Sequence, residues 1–303
     1  MIQEKTIGFI GLGRMGLNMT TNLVEKGWQV VGVDPSEEAQ TAAREVGIDV
    51  VADYKTLVEA WPAGPRVVWV MVPSKYVDAV LAELTPLLAA NDIVIDGGNS
   101  FYKDSLARHQ ALAEKELAFL DVGTSGGMEG ARHGASIMIG GDQAVFNSVE
   151  PLFKDLAATN GYARVGNAGA GHFVKMVHNG IEYGMMGAIA EGVTVLHEHQ
   201  EQFGIDLKEV FKPYENESII TSKLVSWLRE AYDEGQIELI TGEVPTGETE
   251  TEMEHIIAEL GDVKVLEAAL GQRKGTRENP SYLGKLVAAM RNQFGGHKTI
   301  SKS

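Results

Sequence analysis

The sequence predicts an α/β chain, in which a doubly wound sheet with helices on both faces is followed by an all-α C-terminal domain. Three observations carry this. Through the first half, short apolar runs alternate with helical patterns, the arrangement of parallel strands joined by helices. The first run ends in a Gly-x-Gly-x-x-Gly turn, Gly11–Gly16, that opens a helix, as in Rossmann-type sheets. Beyond Gly166–His172 strand signal almost vanishes and a long, mostly apolar helical stretch takes over.

Taken in order, Thr6–Ile10, Gln29–Val33, Arg66–Val72, Ile93–Asp96 and Ala118–Val122 read as buried strands. Between them Met15–Lys26, Glu37–Val46, Tyr54–Trp61, Tyr76–Leu88 and Ser105–Lys115 read as helices. Ser136–Ile139 and Tyr162–Val165 flank a helix over Ala144–Leu156 and extend the same sheet. The next helix runs from about His172 to His199. The glycine-rich turn near Gly169 sets the expected boundary between a dinucleotide-binding domain, residues 1–168, and a helical domain, residues 169–303.

Composition narrows the class. The chain has 303 residues, 44% hydrophobic and 22% charged, enough for a sizeable core. It has no cysteine, which excludes disulfides, thiolate nucleophiles and cysteine-ligated metals and fits a reducing compartment. No apolar h-region precedes the first glycine turn and no apolar run reaches membrane-spanning length, so a soluble cytoplasmic protein is expected. Net charge is −16, without the basic stripe that nucleic-acid binding requires. The charge is uneven. Glu230–Asp262 holds eleven carboxylates and no Lys or Arg, whereas from Lys264 onward eight Lys or Arg stand against two Glu. An acidic protein that handles an anion must gather cations locally, and the C-terminal stretch is the reservoir. Both stretches read equally as solvated helix faces.

The glycine turn has a mechanical reading. Gly11 allows the tight turn, Gly13 lets backbone approach a pyrophosphate, and Gly16 lets the helix pack closely on its strand. The diphosphate then meets the helix N-terminus, where the dipole and free N–H groups favour anions. Asp34 ends the second strand 21 residues after Gly13, the spacing of a carboxylate that bonds ribose hydroxyls. It would repel a 2′-phosphate, and Pro35 and Ser36 add no cation, so NAD is expected over NADP. Arg14, Met15, Met71, Val72 and Asn99 complete the expected cofactor contacts, although Met15 reads equally as core packing.

Lys175, Asn179 and Glu182 fall at i, i+4 and i+7 and share one stripe of a helix, among apolar Phe173, Val174, Met176, Val177 and Ile181. Polar groups in such company need partners or a cavity. Spacing alone leaves two readings open, a buried structural network or acid–base machinery. Gly123–Gly127 by itself reads as a strand-to-loop turn. No metal site is expected, since His197 and His199 lie at i and i+2 on different helix faces.

Residues 1–183 resemble the 6-phosphogluconate dehydrogenase family in its shorter bacterial form. The resemblance rests on Gly11–Gly16, Asp96-Gly97-Gly98-Asn99-Ser100, Asp121-Val122-Gly123-Thr124-Ser125-Gly126-Gly127 with Glu129-Gly130-Ala131-Arg132, and Gly171–Tyr183; the C-terminal Arg291–His297 matches as well. It implies NAD-dependent oxidative decarboxylation of 6-phosphogluconate to ribulose 5-phosphate and carbon dioxide. It implies Lys175 as general base and Glu182 as general acid, with Asn179 between them on the catalytic helix. Asn99, Ser125, Gly126, Gly127, His178, Asn179 and Tyr183 are implied to hold the sugar acid and the nicotinamide. The chemistry fits these types: a base takes the C3 hydroxyl proton, a cation holds the carbonyl oxygen as carbon dioxide leaves, and a second acid protonates C1. A lysine base needs its pKa brought down from about 10.4 by burial or positive neighbours. Arg291 and His297 match the family's tail, which reaches into a neighbouring subunit's substrate site and binds the sugar phosphate. A homodimer or homotetramer with a shared tail is therefore expected. Arg277 is the candidate for the other phosphate arginine, and Leu283, Leu286, Val287 and Met290 form a docking face on the tail helix.

One segment departs from the family pattern. Where the family usually carries a glycine-rich turn with a cation followed by Trp-Thr, this chain has Thr246-Gly247-Glu248-Thr249-Glu250-Thr251-Glu252, with three Glu and no cation. That keeps two other readings open: a related β-hydroxyacid dehydrogenase acting without decarboxylation, and a dinucleotide-binding protein without catalysis.

Overall fold

The computed structural model describes residues 5–61, 64–296 and 299–300. The chain divides into two compact units, Met1–Lys175 and Met176–Ser303. In the first, eight strands build one sheet: β1 (Thr6–Ile10), β2 (Gln29–Val33), β3 (Asp49–Val50), β4 (Val67–Val70), β5 (Ile93–Asp96), β6 (Ala118–Ser125), β7 (Ala135–Gly141) and β8 (Ala157–Gly166). Their order is β3-β2-β1-β4-β5-β6-β7-β8. All neighbours are parallel except β6 and β7. The connecting helices are α1 (Arg14–Glu25), α2 (Glu37–Glu45), α3 (Tyr54–Glu59), α4 (Ser74–Leu84), α5 (Tyr102–Ala113), α6 (Gly127–His133) and α7 (Gln143–Leu156).

Strand periodicity explains the continuous apolar runs. Val67, Trp69, Ile93 and Ile95 point into one core cluster, while Val68, Val70 and Val94 point into another on the opposite face. Both faces are covered by helices, so every position must be apolar rather than every second one. Trp69 anchors the first cluster, stacked on Phe9 at 5.9 Å and tilted against Phe153 at 6.1 Å. The carboxyl ends of β1, β2, β4, β5 and β6 bring the glycine turn, Asp34, Met71, Asn99 and Ser125 to one edge of the sheet. Strand order reverses at β1, the position where open α/β sheets bind ligands.

The second unit is helical. Helix α8 (Ala170–Glu198) enters it from the first unit, followed by α9 (Gln200–Phe203), α10 (Leu207–Glu215), α11 (Lys223–Asp233), α12 (Gln236–Leu239), α13 (Glu248–Leu260), α14 (Lys264–Glu278) and α15 (Tyr282–Gly295). Met186, Phe211, Leu228, Met253 and Leu286 centre its core. No helix among the described residues is long and apolar enough to cross a membrane.

The expected elements are present, with differences. β3 was not expected: its two residues are too few to show a period. α6 was hidden behind Gly126 and Gly127, whose φ values of +112° and +61° belong to glycine rather than to a helix former. The departing segment is not simply a turn, because α13 begins at Glu248.

Candidate active site

The glycine turn is shaped as its three positions require. Gly11 has φ +98°, donates to the Val33 carbonyl at 2.9 Å, and lies so close to the Met71 carbonyl that a Cβ would overlap it. A Cβ on Gly16 would overlap the Gly11 carbonyl. At Gly13, by contrast, a Cβ would meet nothing within 4 Å. That open space lies at the start of α1, which has no side-chain cap and no acid in its first turn. A pyrophosphate fits here, against free backbone and the positive end of a helix. Asp34 accepts from Leu12 N at 2.7 Å and Ser36 N at 2.8 Å, which fixes its carboxylate beside the turn. Each oxygen keeps a lone pair for a hydroxyl. Arg14 is exposed, and Met15, Met71, Val72 and Asn99 are half-buried.

The next turn, Asp96–Ser100, is held from beneath by a buried network. Asp96 accepts from Gly98 N at 3.2 Å, Ser100 Oγ at 2.8 Å and Arg108 Nη1 at 2.9 Å. Arg108 also bonds Asp78 at 2.7 Å. Burial works against its charge, but Asp78 and Asp96 outweigh this and hold its pKa above the ordinary arginine value. Beside Asp96 in the sheet register lies Asp121, fully buried. Its two oxygens accept from Gly169 N at 2.7 Å and His172 N at 2.9 Å, which caps the start of α8. Ser105 Oγ bonds His172 Nδ1 at 2.7 Å. The helix is pressed onto the sheet through glycines: a Cβ on Gly123 would run into the Lys175 side chain, and one on Gly171 into the Asp121 carbonyl. Ser125, Gly126 and Gly127, half-buried, end β6 and start α6.

Lys175, Asn179 and Glu182 all lie on α8, with Lys175 and Glu182 half-buried and Asn179 only 6% exposed. Asn179 donates from Nδ2 to Glu252 at 2.7 Å, and its Oδ1 lies 3.2 Å from His178 Nδ1. That nitrogen is 3.8 Å from Glu182. His178, Asn179 and Glu182 therefore form a connected polar line, and Glu252, from the departing segment, is one of its members.

One residue beyond Glu182, Tyr183 opens a cluster of arginines in the second unit. Arg291 Nε donates to Tyr183 OH at 3.0 Å, and the Arg273 guanidinium lies over the Tyr183 ring, 4.9 Å from its centroid. Arg291 and Arg273 both donate to the Pro245 carbonyl at 2.9 Å. Gly247 leaves room beside them, its Cβ position being 3.2 Å from Arg291 and 3.5 Å from Arg273. Glu250 pairs with Arg277 and lies 3.5 Å from Arg273 Nε. Arg273 and Arg291 are only 2% and 3% exposed. Burial, joined by the charges of Arg291 and Arg277, holds the Arg273 pKa below its ordinary value against the opposing pull of Tyr183 and Glu250. Among the described residues, the buried Arg273 Nη1 finds no hydrogen-bond partner. Among the described residues, two buried guanidiniums, Arg273 and Arg291, and the part-exposed Arg277 gather around one carboxylate, Glu250, an excess of positive charge that an anion would compensate.

A family profile for the NAD binding domain of 6-phosphogluconate dehydrogenase matches residues 6–169, and one for the 6-phosphogluconate dehydrogenase C-terminal domain matches residues 171–226. The chain belongs to the 6-phosphogluconate dehydrogenase family. It is 42% identical over 298 residues to YqeC of Bacillus subtilis (strain 168), provisionally named a 6-phosphogluconate dehydrogenase, covering 98% of this chain and 99% of that one. It is 36% identical over 302 residues to the NAD(+)-dependent, decarboxylating 6-phosphogluconate dehydrogenase of Haloferax volcanii, with 98% and 99% covered. The Plasmodium falciparum 6-phosphogluconate dehydrogenase, solved with NADP+ and with 6-phosphogluconate, superposes with a TM-score of 0.80 at 29% identity, over 89% of this chain and 62% of that one.

Within the family, this chain is an oxidoreductase with an N-terminal Rossmann sheet and a helical C-terminal domain. The structure brings Arg277 and Arg291 into one cluster with Tyr183. Arg291 bonds Tyr183 OH and the Pro245 carbonyl. His297 lies outside the described residues. Sequence reasoning passed over Arg273, one turn before Arg277, and it missed Glu250, Glu252 and Asp121 as well. Arg273 was detectable as a charge in line with apolar Leu266, Ala269 and Leu270 on α14.

Proposed function

We propose that the protein oxidises and decarboxylates 6-phosphogluconate to ribulose 5-phosphate and carbon dioxide, with NAD as the acceptor. The observation that carries this reading is the run on α8 from Lys175 through Asn179 and Glu182 to Tyr183 and its buried arginines. The run supplies a base, an acid and an anion receptor in succession along one helix. Bound against the Gly11–Gly16 turn and Asp34, NAD supplies the hydride acceptor. Lys175 takes the C3 hydroxyl proton as the hydride leaves C3. As an ammonium it then holds the new carbonyl oxygen while the C1 carboxylate departs as carbon dioxide. Glu182 delivers the proton that the enediol needs at C1, and Asn179, fixed by Glu252, orients the sugar hydroxyls. Arg273 and Arg291 receive the phosphate. The sugar acid, the cytoplasmic setting and an oligomeric assembly follow from the same reading.

A second reading has one observation in its favour. Glu250 already pairs with Arg277 and approaches Arg273, as an acid substrate's own anion would. It favours a hydroxy acid of lower charge, oxidised without decarboxylation. The test is reduction of NAD and of NADP against 6-phosphogluconate, gluconate and 3-hydroxy acids, with carbon dioxide measured alongside. Turnover of 6-phosphogluconate with equimolar carbon dioxide is the expected result. Oxidation of an unphosphorylated acid without gas release would select the second reading.

A further inference from the structure

Arg108 is a buried charge in the first unit that no step of the proposed reaction uses. Its guanidinium works in two directions. Nε donates to Asp78 on α4 at 2.7 Å, and Nη1 donates to Asp96 Oδ2 and to Ser100 Oγ, both at 2.9 Å. Ser100 Oγ donates in turn to Asp96 Oδ2 at 2.8 Å, which closes a triangle of three side chains. The other oxygen of Asp96 accepts from Gly98 N at 3.2 Å. Asn99 stands between the two residues so held, and its backbone is fixed from both sides. Asp96 is fully buried, and a carboxylate placed there needs a cation and a set of donors. Arg108 supplies the cation. The Asp78 leg reaches α4, which follows β4 through Met71, Val72 and Pro73. The Asn99 turn lies against that connection. Gly97 N donates to the Val70 carbonyl at 2.9 Å, and a Cβ on Gly98 would stand 2.8 Å from the Val72 carbonyl. Helix α5 is itself held on both sides of Arg108: Ser105 bonds His172 at 2.7 Å, and Leu112 is buried in the core.

We infer that Arg108 is a positioning residue for hydride transfer: by joining Asp78 to Asp96 and Ser100 it sets the Asn99 turn against the Met71–Val72 connection. The inference rests on the proposed function for what Asn99 and Val72 hold, the nicotinamide and the sugar acid. A simple counter-ion for Asp96 would need one nitrogen. Arg108 uses two, and they are corners of one rigid plane, so the span from α4 to the turn is fixed along with the charge. A lysine offers one nitrogen in place of the two. It would keep a cation beside Asp96 and give up the fixed span to Asp78. Arg108→Lys therefore separates positioning from charge.

The experiment is a double-mutant cycle of Arg108→Lys and Asn99→Ala. It is read in kcat for NAD reduction with 6-phosphogluconate, and in NADH affinity from nicotinamide fluorescence. Arg108→Lys should lower kcat roughly ten- to a hundredfold, the scale of a small misplacement of a contact residue, and weaken NADH about threefold. In the Asn99→Ala background the same substitution should change either quantity by less than about twofold, because the group it positions is gone. Equal losses in both backgrounds would mean that Arg108 supports the fold at large, and would overturn the inference. So would an Arg108→Lys chain with wild-type kcat and NADH affinity. Should the lysine chain fail to fold, Asp78→Asn, which loosens the outer leg at an exposed carboxylate, takes its place in the cycle under the same criteria. A failure of the functional reading would show separately, as no turnover of 6-phosphogluconate by the wild type. The NADH arm needs no sugar acid and would then decide alone.

Discussion

Gly13 is the position where one atom separates folding from binding. Its φ of −64° suits any residue, and a Cβ would meet nothing within 4 Å. Gly13→Ala should therefore keep stability within about 1 kcal/mol, the scale of a changed N-cap. A methyl group where a pyrophosphate approaches should raise KM for NAD roughly tenfold, equivalent to about 1.4 kcal/mol. Steady-state kinetics with a melting curve checks both, and an unchanged KM would remove the glycine turn from the cofactor site. Beside it, Asp34 carries the proposed preference for NAD, so Asp34→Ser with Pro35→Arg should narrow the ratio of kcat/KM for NAD over NADP. A wild type that prefers NADP would end that reading of Asp34. On α8 the two groups proposed to handle protons should separate by step. Lys175→Met should cost roughly 10²–10⁴ in turnover, the range of general base catalysis. Glu182→Gln should still reduce NAD while slowing ribulose 5-phosphate release. Full activity in Glu182→Gln would take that acid out of the mechanism.

At the scale of elements, the geometry of α8 is set by Asp121 on β6. Replacing it with Asn turns one of its two acceptor oxygens into a donor that faces a buried N–H. A lost and unsatisfied buried hydrogen bond costs about 1–3 kcal/mol, and each kcal/mol moves the melting temperature of a domain this size by roughly 2–4 °C. Asp121→Asn should melt lower by several degrees and lose turnover with little change in NAD affinity; an unaltered melting temperature would show the cap to be dispensable. Little of this was legible in the sequence. Strands β1, β2, β4 and β5 announced themselves because burial on both faces makes their runs wholly apolar, and the glycine turn because its spacing is mechanical. The stripe Lys175, Asn179, Glu182 was legible from the helical period. Arg108, Asp121 and Glu252 were not, because each acts on a partner far along the chain, at a distance that no local pattern encodes. Residues 246–252 were read as a lost cation; in the structure they place Glu250 and Glu252 among the groups they modulate.

For the molecule as a whole, ligands of the two units should be separable by their effect on melting. A ligand that binds only the folded state adds about 2.7 kcal/mol at one hundred times its Kd. Both NAD and inorganic phosphate should raise the melting temperature of the wild type. Arg273→Ala should abolish the phosphate shift and keep the NAD shift; loss of both would mean that the arginines hold up the fold rather than an anion. The path of α8 has a further consequence, for anyone who would recombine this protein with its relatives. A chimera joined at the compact-unit boundary, between Lys175 and Met176, would take Lys175 from one parent and Glu182 from the other. A seam in the Gly166–Gly169 turn keeps those two together, but asks one parent's Asp121 to receive the other's helix through contacts so close that Gly123, Gly140 and Gly171 tolerate no side chain. The halves are thus not interchangeable cassettes, and a working hybrid has to carry β6, β7 and α8 across as one inherited block.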